Sequence, residues 1–111
     1  MEIIDYETTG GQKSYKRIFN RIAKSRARYW IQYIRHKIVK NGLAAITELD
    51  TRQLRGDLWE IKFSKNRIMY ILRAKQDKIY FLHACRKQKG KAEQFDIDTA
   101  ISRAKEKGLD I

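Results

Sequence analysis

Ile79-Tyr80-Phe81-Leu82-His83-Ala84-Cys85 is an apolar run of strand type, and it passes without a break into the cations of Arg86-Lys87-Gln88-Lys89-Gly90-Lys91. A strand that ends in clustered charge holds that charge on a rigid mount. Beyond it, Ile97, Ala100, Ile101 and Ala104 recur at i, i+3, i+4 and i+7, which predicts a helix from about Glu93 to Lys107 with one apolar stripe for docking. Gly108 supplies its stop. The segment reads as a strand and a sheet-docking helix joined by a basic bend.

Working outward, two more runs of strand type come before it, Asp57 to Ser64 and Arg67 to Lys75, with Lys78 to Arg86 as the third. The turns between them, Lys65-Asn66 and Gln76-Asp77, are short, so the three pair as an antiparallel meander. Alternation sends Trp59, Ile61 and Phe63 to one face and Leu58, Glu60 and Lys62 to the other, and it groups His83 with Phe81 and Cys85. The second and third strands are apolar on both faces. That predicts a sheet covered by helices on one side and partly enclosed on the other.

Toward the N-terminus, Glu2 to Tyr6 alternates like a short strand and Thr8-Thr9-Gly10-Gly11 makes a turn. Tyr15, Ile18, Phe19, Ile22 and Ala23 then recur at helical spacing. After the polar Lys24-Ser25-Arg26, Ala27, Trp30, Ile31, Ile34 and Ile38 do the same as far as Asn41-Gly42. Two helices, or one long bent one, are expected, followed by a connector from Leu43 to Arg55. The element order is β-α-α-β-β-β-α, an α+β fold in one domain over residues 1–111.

Charge narrows the partners. The chain carries 25 Lys and Arg against 13 Asp and Glu, a formal charge of +12, which calls for nucleic acid, an acidic protein or an anionic membrane. No run approaches the ~20 apolar residues of a spanning helix, and Met1-Glu2-Ile3-Ile4-Asp5 is not built like a signal peptide, so a cytoplasmic protein is expected. Between Thr8 and Thr47 there is no acidic residue, whereas ten cations from Lys13 to Lys40 crowd that segment. Like charges at helical spacing repel, and an acidic partner or phosphate backbone would relieve them. The single cysteine, Cys85, forms no internal disulfide and reads as an inert buried thiol. With His83 it makes two metal ligands, too few for a tetrahedral site.

The element order, together with Leu54-Arg55-Gly56-Asp57-Leu58-Trp59-Glu60-Ile61-Lys62, Arg67-Ile68-Met69-Tyr70 and the spaced series His83, Lys87, Lys91, Asp96, Ile97, Ala100 and Arg103, resembles the RelE/ParE toxin superfamily. The likeness is to its HigB-type, phage-derived Gp49-like branch. It is close over the second half of the chain and rests on element order in the first. Cys85, Gln88, Ala92-Glu93 and Asp96 stand where that branch has an aromatic, a second lysine, Thr-Pro and glutamate.

The resemblance implies the toxin of a type II toxin-antitoxin module, an endoribonuclease that cleaves mRNA on the ribosome. Its implied antagonist is an acidic antitoxin, commonly a helix-turn-helix protein, docked across the Lys13 to Lys40 helices or over the sheet. No cofactor or metal is implied. Cleavage by the ribose 2′-OH requires a base, cations for the phosphorane-like transition state and an acid for the leaving oxygen. Lys62 and Arg67 match superfamily positions often used in catalysis, and Arg86 and Lys87 offer an anion clamp. His83 is eligible as acid or base, or as a hydrogen-bonded structural residue, and Tyr70 and Tyr80 are further candidate acids. Lys65, Arg73, Lys89 and Lys91 are candidate RNA contacts. Glu60 either pairs with Lys62, which would spoil the base, or packs. The alternatives are a non-catalytic ParE-like toxin acting on a protein such as gyrase, and a plain RNA-binding module. Catalysis demands that Lys62, Arg67, Arg86 and Lys87 converge in one concave positive patch.

Overall fold

The computed structural model of the chain describes residues 1–7 and 25–111. The turn at Thr8-Thr9-Gly10-Gly11, the helix expected from Ser14 and the cations from Lys13 to Lys24 lie outside the described residues. Strand β1 (Glu2–Asp5) is followed by helices α1 (Ser25–Asn41) and α2 (Leu43–Glu48), then strands β2 (Thr51–Arg55), β3 (Leu58–Phe63), β4 (Asn66–Arg73) and β5 (Lys78–Arg86), and helix α3 (Gly90–Glu106). The five strands form one mixed sheet in the order β1-β5-β4-β3-β2. β3, β4 and β5 are the expected meander, and β1 lies parallel to β5 with Ile3 opposite Ile79.

Two expectations need correction. The segment from Leu43 to Arg55 is no plain connector: it holds α2 and the edge strand β2, whose Thr51 and Gln53 pair with Ile61 and Trp59. Its residues are mostly polar because β2 is held by backbone pairing to β3 rather than by an apolar face, so periodicity is blind to it. Helix α3 starts at Gly90 rather than Glu93. Lys89 is extended and Gly90 takes φ +59°, a left-handed value that glycine adopts freely, so the chain turns into the helix there.

Both faces of the sheet are covered. Ile31, Ile34 and Ile38 of α1, with Ala45 and Ile46 of α2, pack on Ile61, Phe63, Ile68, Tyr70, Ile79 and Phe81. Ile97, Ala100 and Ala104 of α3 pack on Leu58, Met69, Ile71 and Leu82. This accounts for apolar residues on both sides of β4 and β5. No described helix is long and apolar enough to cross a membrane.

A β-bulge corrects the facing of His83. Met69 opposes His83 while Tyr70 opposes Phe81, so β5 carries one extra residue at Leu82. Leu82 and His83 both turn toward α3, and Phe81 stays with α1. His83 therefore shares its face with Cys85 but not with Phe81.

On the α1 side, Arg35 grips the carboxylate of Asp5 with two hydrogen bonds of 2.8 and 2.9 Å and lies 5.8 Å from the Phe81 ring centroid. This bidentate pair ties α1 to the edge strand β1. Asp5→Ala leaves a largely covered guanidinium without its carboxylate. Urea denaturation is expected to show a loss of about 2 kcal/mol, less than for a fully buried pair because Arg35 keeps some water.

Candidate active site

The face of the sheet toward α3 gathers the polar residues. β3 directs Glu60 and Lys62 to it, and the register places Lys62 opposite Arg67 and Arg67 opposite Cys85. Three adjacent strands thus set lysine, arginine and cysteine side by side. β5 then ends in Arg86 and leads into Lys87, Gln88 and Lys89, while α3 overhangs with Glu93 and Asp96. Together with Arg52 and Met69 these residues line a cavity of about 220 Å³. A backbone bond of 2.7 Å from Lys87 N to Lys65 O draws the exit of β5 against the β3-β4 turn. Lys62, Arg67, Arg86 and Lys87 converge in one concavity.

Glu60 lies beneath it, 2% exposed. Arg52 is its cross-strand partner on β2 and donates from Nε to Oε2 at 2.8 Å, and Arg67 Nε approaches the same oxygen at 3.8 Å. Arg52 also reaches Glu93 on α3 at 3.3 Å. The glutamate is thereby committed to arginines. Residues two apart on a strand stand nearly 7 Å from each other, whereas a cross-strand neighbour is closer. Among the described residues no carboxylate pairs with Lys62.

Residues 17–105 match the family described as phage-derived protein Gp49-like (DUF891). The chain belongs to this family. Gp49-like proteins are toxin-like members of the RelE superfamily. No curated protein matches the chain.

In this Gp49-like chain three members of the spaced series, His83, Asp96 and Arg103, close into one cluster. His83 Nε2 lies 2.8 Å from Asp96 Oδ1, and Arg103 Nη1 lies 3.2 Å from His83 Nδ1. Arginine only donates, so Nδ1 accepts and the ring proton on Nε2 goes to Asp96. Arg103 also donates to Leu82 O at 2.8 Å and stacks over the Tyr6 ring at 4.5 Å. His83 does not line the cavity; it meets it through Asp96.

Asp96 supplies a third potential ligand beside His83 and Cys85, with ligand atoms within 4.8 Å of one another. Sequence reading counts only two. The donors are nevertheless arranged as a protonated network. A metal-bound imidazole ordinarily donates its second nitrogen to an acceptor, and here that nitrogen faces an arginine. Burial pushes the Cys85 thiol up to about 12, with the neighbouring Asp96 carboxylate adding to the rise.

The remaining sequence candidates separate by position. Lys89 lines the cavity, Lys65 stands at its rim, and Lys91 is exposed on the first turn of α3 outside the lining. Arg73 does not join them. It sits six residues along β4 from Arg67, roughly 20 Å away at strand rise, and bonds Asp57 and the carbonyl of Asp110. Tyr70 faces α1 inside the core, its hydroxyl pushed up to about 12 by burial, and so is no candidate acid for this cavity. Tyr80 packs beneath α3 and does not line the cavity either. Arg52, Glu93 and the cavity-facing role of Asp96 are not found by reading the sequence. Arg52 lies in the supposed connector, and only strand register reveals its partner.

The Cys85 shift is testable. Little thiolate exists near neutrality, so alkylation at pH 8 is expected to be slow in the native protein and fast after unfolding. The folded value lies above the unfolded one near 9, so the contribution to stability is full below pH 9 and declines as pH rises toward 12. Cys85→Ser, compared with the parent by denaturation across that window, checks the slope.

Proposed function

We propose that this Gp49-like protein is the toxin of a type II toxin-antitoxin module, a HigB-type endoribonuclease that cleaves mRNA on the ribosome in the cytoplasm. The observation that carries the reading is the convergence of Lys62, Arg67, Arg86 and Lys87 on one cavity, with Lys62 left without a carboxylate partner among the described residues. In this reading Lys62 takes the proton from a ribose 2′-OH. The 2′-oxygen forms a bond to the adjacent phosphorus as the bond to the 5′-oxygen breaks, and the departing oxygen takes a proton from water, leaving a 2′,3′-cyclic phosphate, a 5′-hydroxyl and a hydroxide that the proton held by Lys62 returns to water. Arg67, Arg86 and Lys87 offset the negative charge that builds on the phosphoryl oxygens. Glu60 holds Arg67 and Arg52 in place without neutralising Lys62.

The test is 5′-end mapping of transcripts after induction. New internal ends are expected within ribosome-occupied coding regions. Lys62→Ala, which breaks no ion pair among the described residues, is expected to reduce them about 10²- to 10³-fold with the circular dichroism spectrum retained, as is Arg67→Lys, which keeps the charge beside Glu60. Intact transcripts together with arrested DNA replication would refute the reading in favour of a ParE-like toxin.

The excess of +12 also supports a small acidic antitoxin as partner. Co-expression from the native operon is expected to yield a complex that salt weakens. Purification of the toxic chain alone, with no acidic companion, would count against this partner.

A further inference from the structure

Helix α1 carries a second feature that the cleavage chemistry does not use. Its buried stripe is Ile31, Ile34 and Ile38, yet Tyr29, Trp30 and Tyr33 stand outward, 66, 43 and 41% exposed. Tyr29 and Tyr33 stack at 6.4 Å with planes 13° apart, and Trp30 meets Tyr33 edge-on at 5.8 Å. Lys37 Nζ lies 5.6 Å over the Tyr33 ring. Trp30 and Tyr33 border a cavity of about 370 Å³ whose walls also include Leu49, Asp50 and Lys62. Lys62 lines this cavity and the basic one alike.

We propose that the Trp30-Tyr33 surface is a stacking platform for a nucleobase of single-stranded RNA, seated beside the phosphate held in the basic cavity. The inference rests on the endoribonuclease reading, which puts RNA at Lys62. Exposed aromatic faces interleaved with cations suit any base, since every base offers a π-face. Charge separates the two cavities by task. The basic cavity sets Arg52, Lys62, Arg67, Arg86, Lys87 and Lys89 against Glu60, Glu93 and Asp96, and this excess of cations draws phosphate. The aromatic cavity has Glu48 and Asp50 on its wall, with Glu48 paired to Lys37. Those carboxylates disfavour a phosphate there, and they suit the amino and ring N–H donors on a base edge. They also disfavour an acidic protein surface. The shared Lys62 makes the platform continuous with the cleavage site, so a nucleotide spanning both places its phosphate and its base on opposite sides of one lysine.

The experiment measures binding of the full chain to a short 2′-O-methyl RNA, which lacks the attacking hydroxyl, and to the same oligonucleotide with abasic positions, by fluorescence anisotropy. The base-bearing strand is expected to bind more tightly. Trp30→Ala or Tyr33→Ala is expected to weaken it by about 5- to 100-fold, the size of a lost base-aromatic stack, while leaving the abasic strand nearly unchanged. Trp30→Phe is expected to restore part of the loss, and melting curves check that each exposed substitution leaves the fold intact. Lys62→Ala should weaken both strands together. Equal binding of the two strands by the parent, or unchanged RNA binding by both alanine variants, overturns the platform. Loss of an acidic protein partner without loss of RNA affinity in Trp30→Ala overturns it too, by assigning the surface to that partner. If cellular mRNA stays intact while base-dependent binding and its loss in Trp30→Ala persist, the endoribonuclease reading fails and the platform stands.

Discussion

A carboxylate buried in a strongly basic protein must be paid for by cations, and Glu60 sets where they go. Its oxygen collects Arg52 from β2 and Arg67 from β4, and Arg52 extends the chain of charge to Glu93 on α3. One glutamate thereby joins two neighbouring strands and the helix above them. Arg52, hydrogen-bonded at 2.8 Å, carries most of the offset for burying it, and Arg67, whose Nη1 donates to Ser64 O and Asn66 O, adds its charge at 3.8 Å. Lys62, on the same face, is left outside the network.

Helix α3 is seated by a different device. The bulge at Leu82 turns Leu82 and His83 to the same side, giving the helix both an apolar contact and a polar anchor from consecutive residues. His83 bonds Asp96 in the N-terminal half of α3, and Arg103, two turns further on, bonds His83 and Leu82 O. The helix is pinned along its length, and its first turns, with Glu93 and Asp96, roof the cavity. His83 stays outside the cavity lining and reaches it through its hydrogen bond to Asp96.

The cations of α1 divide in the same way between internal and external work. Arg35 is consumed by Asp5, and Lys37 by Glu48 and the Tyr33 ring. Among the described residues, Arg86, Lys87 and Lys89 gather where β5 leaves the sheet, in the cavity that Lys62 also lines. A concave patch in which cations outnumber acids raises the local concentration of phosphate more than the same charges spread over a surface.

The three-stranded meander, the common face of Glu60 and Lys62, and the docking stripe of Ile97, Ala100 and Ala104 are legible in the sequence because each follows from a local period of two or 3.6 residues, which needs no knowledge of partners. The spaced series from His83 to Arg103 is legible too, as the likeness of a family. Its meaning is not, since residues 13 and 20 apart meet only when α3 folds back across β5. Strand β2 escapes because a polar edge strand is held by backbone pairing. The bulge escapes because an extra residue in β5 leaves no mark on composition, yet it decides which way His83 faces. Arg73 and Arg67 read as equals in one strand. Only the sheet, by placing one at the cavity and the other at the far end beside Asp57, tells them apart. Local periodicity determines the elements and their faces; which charges meet is decided by register and by what packs across the strands.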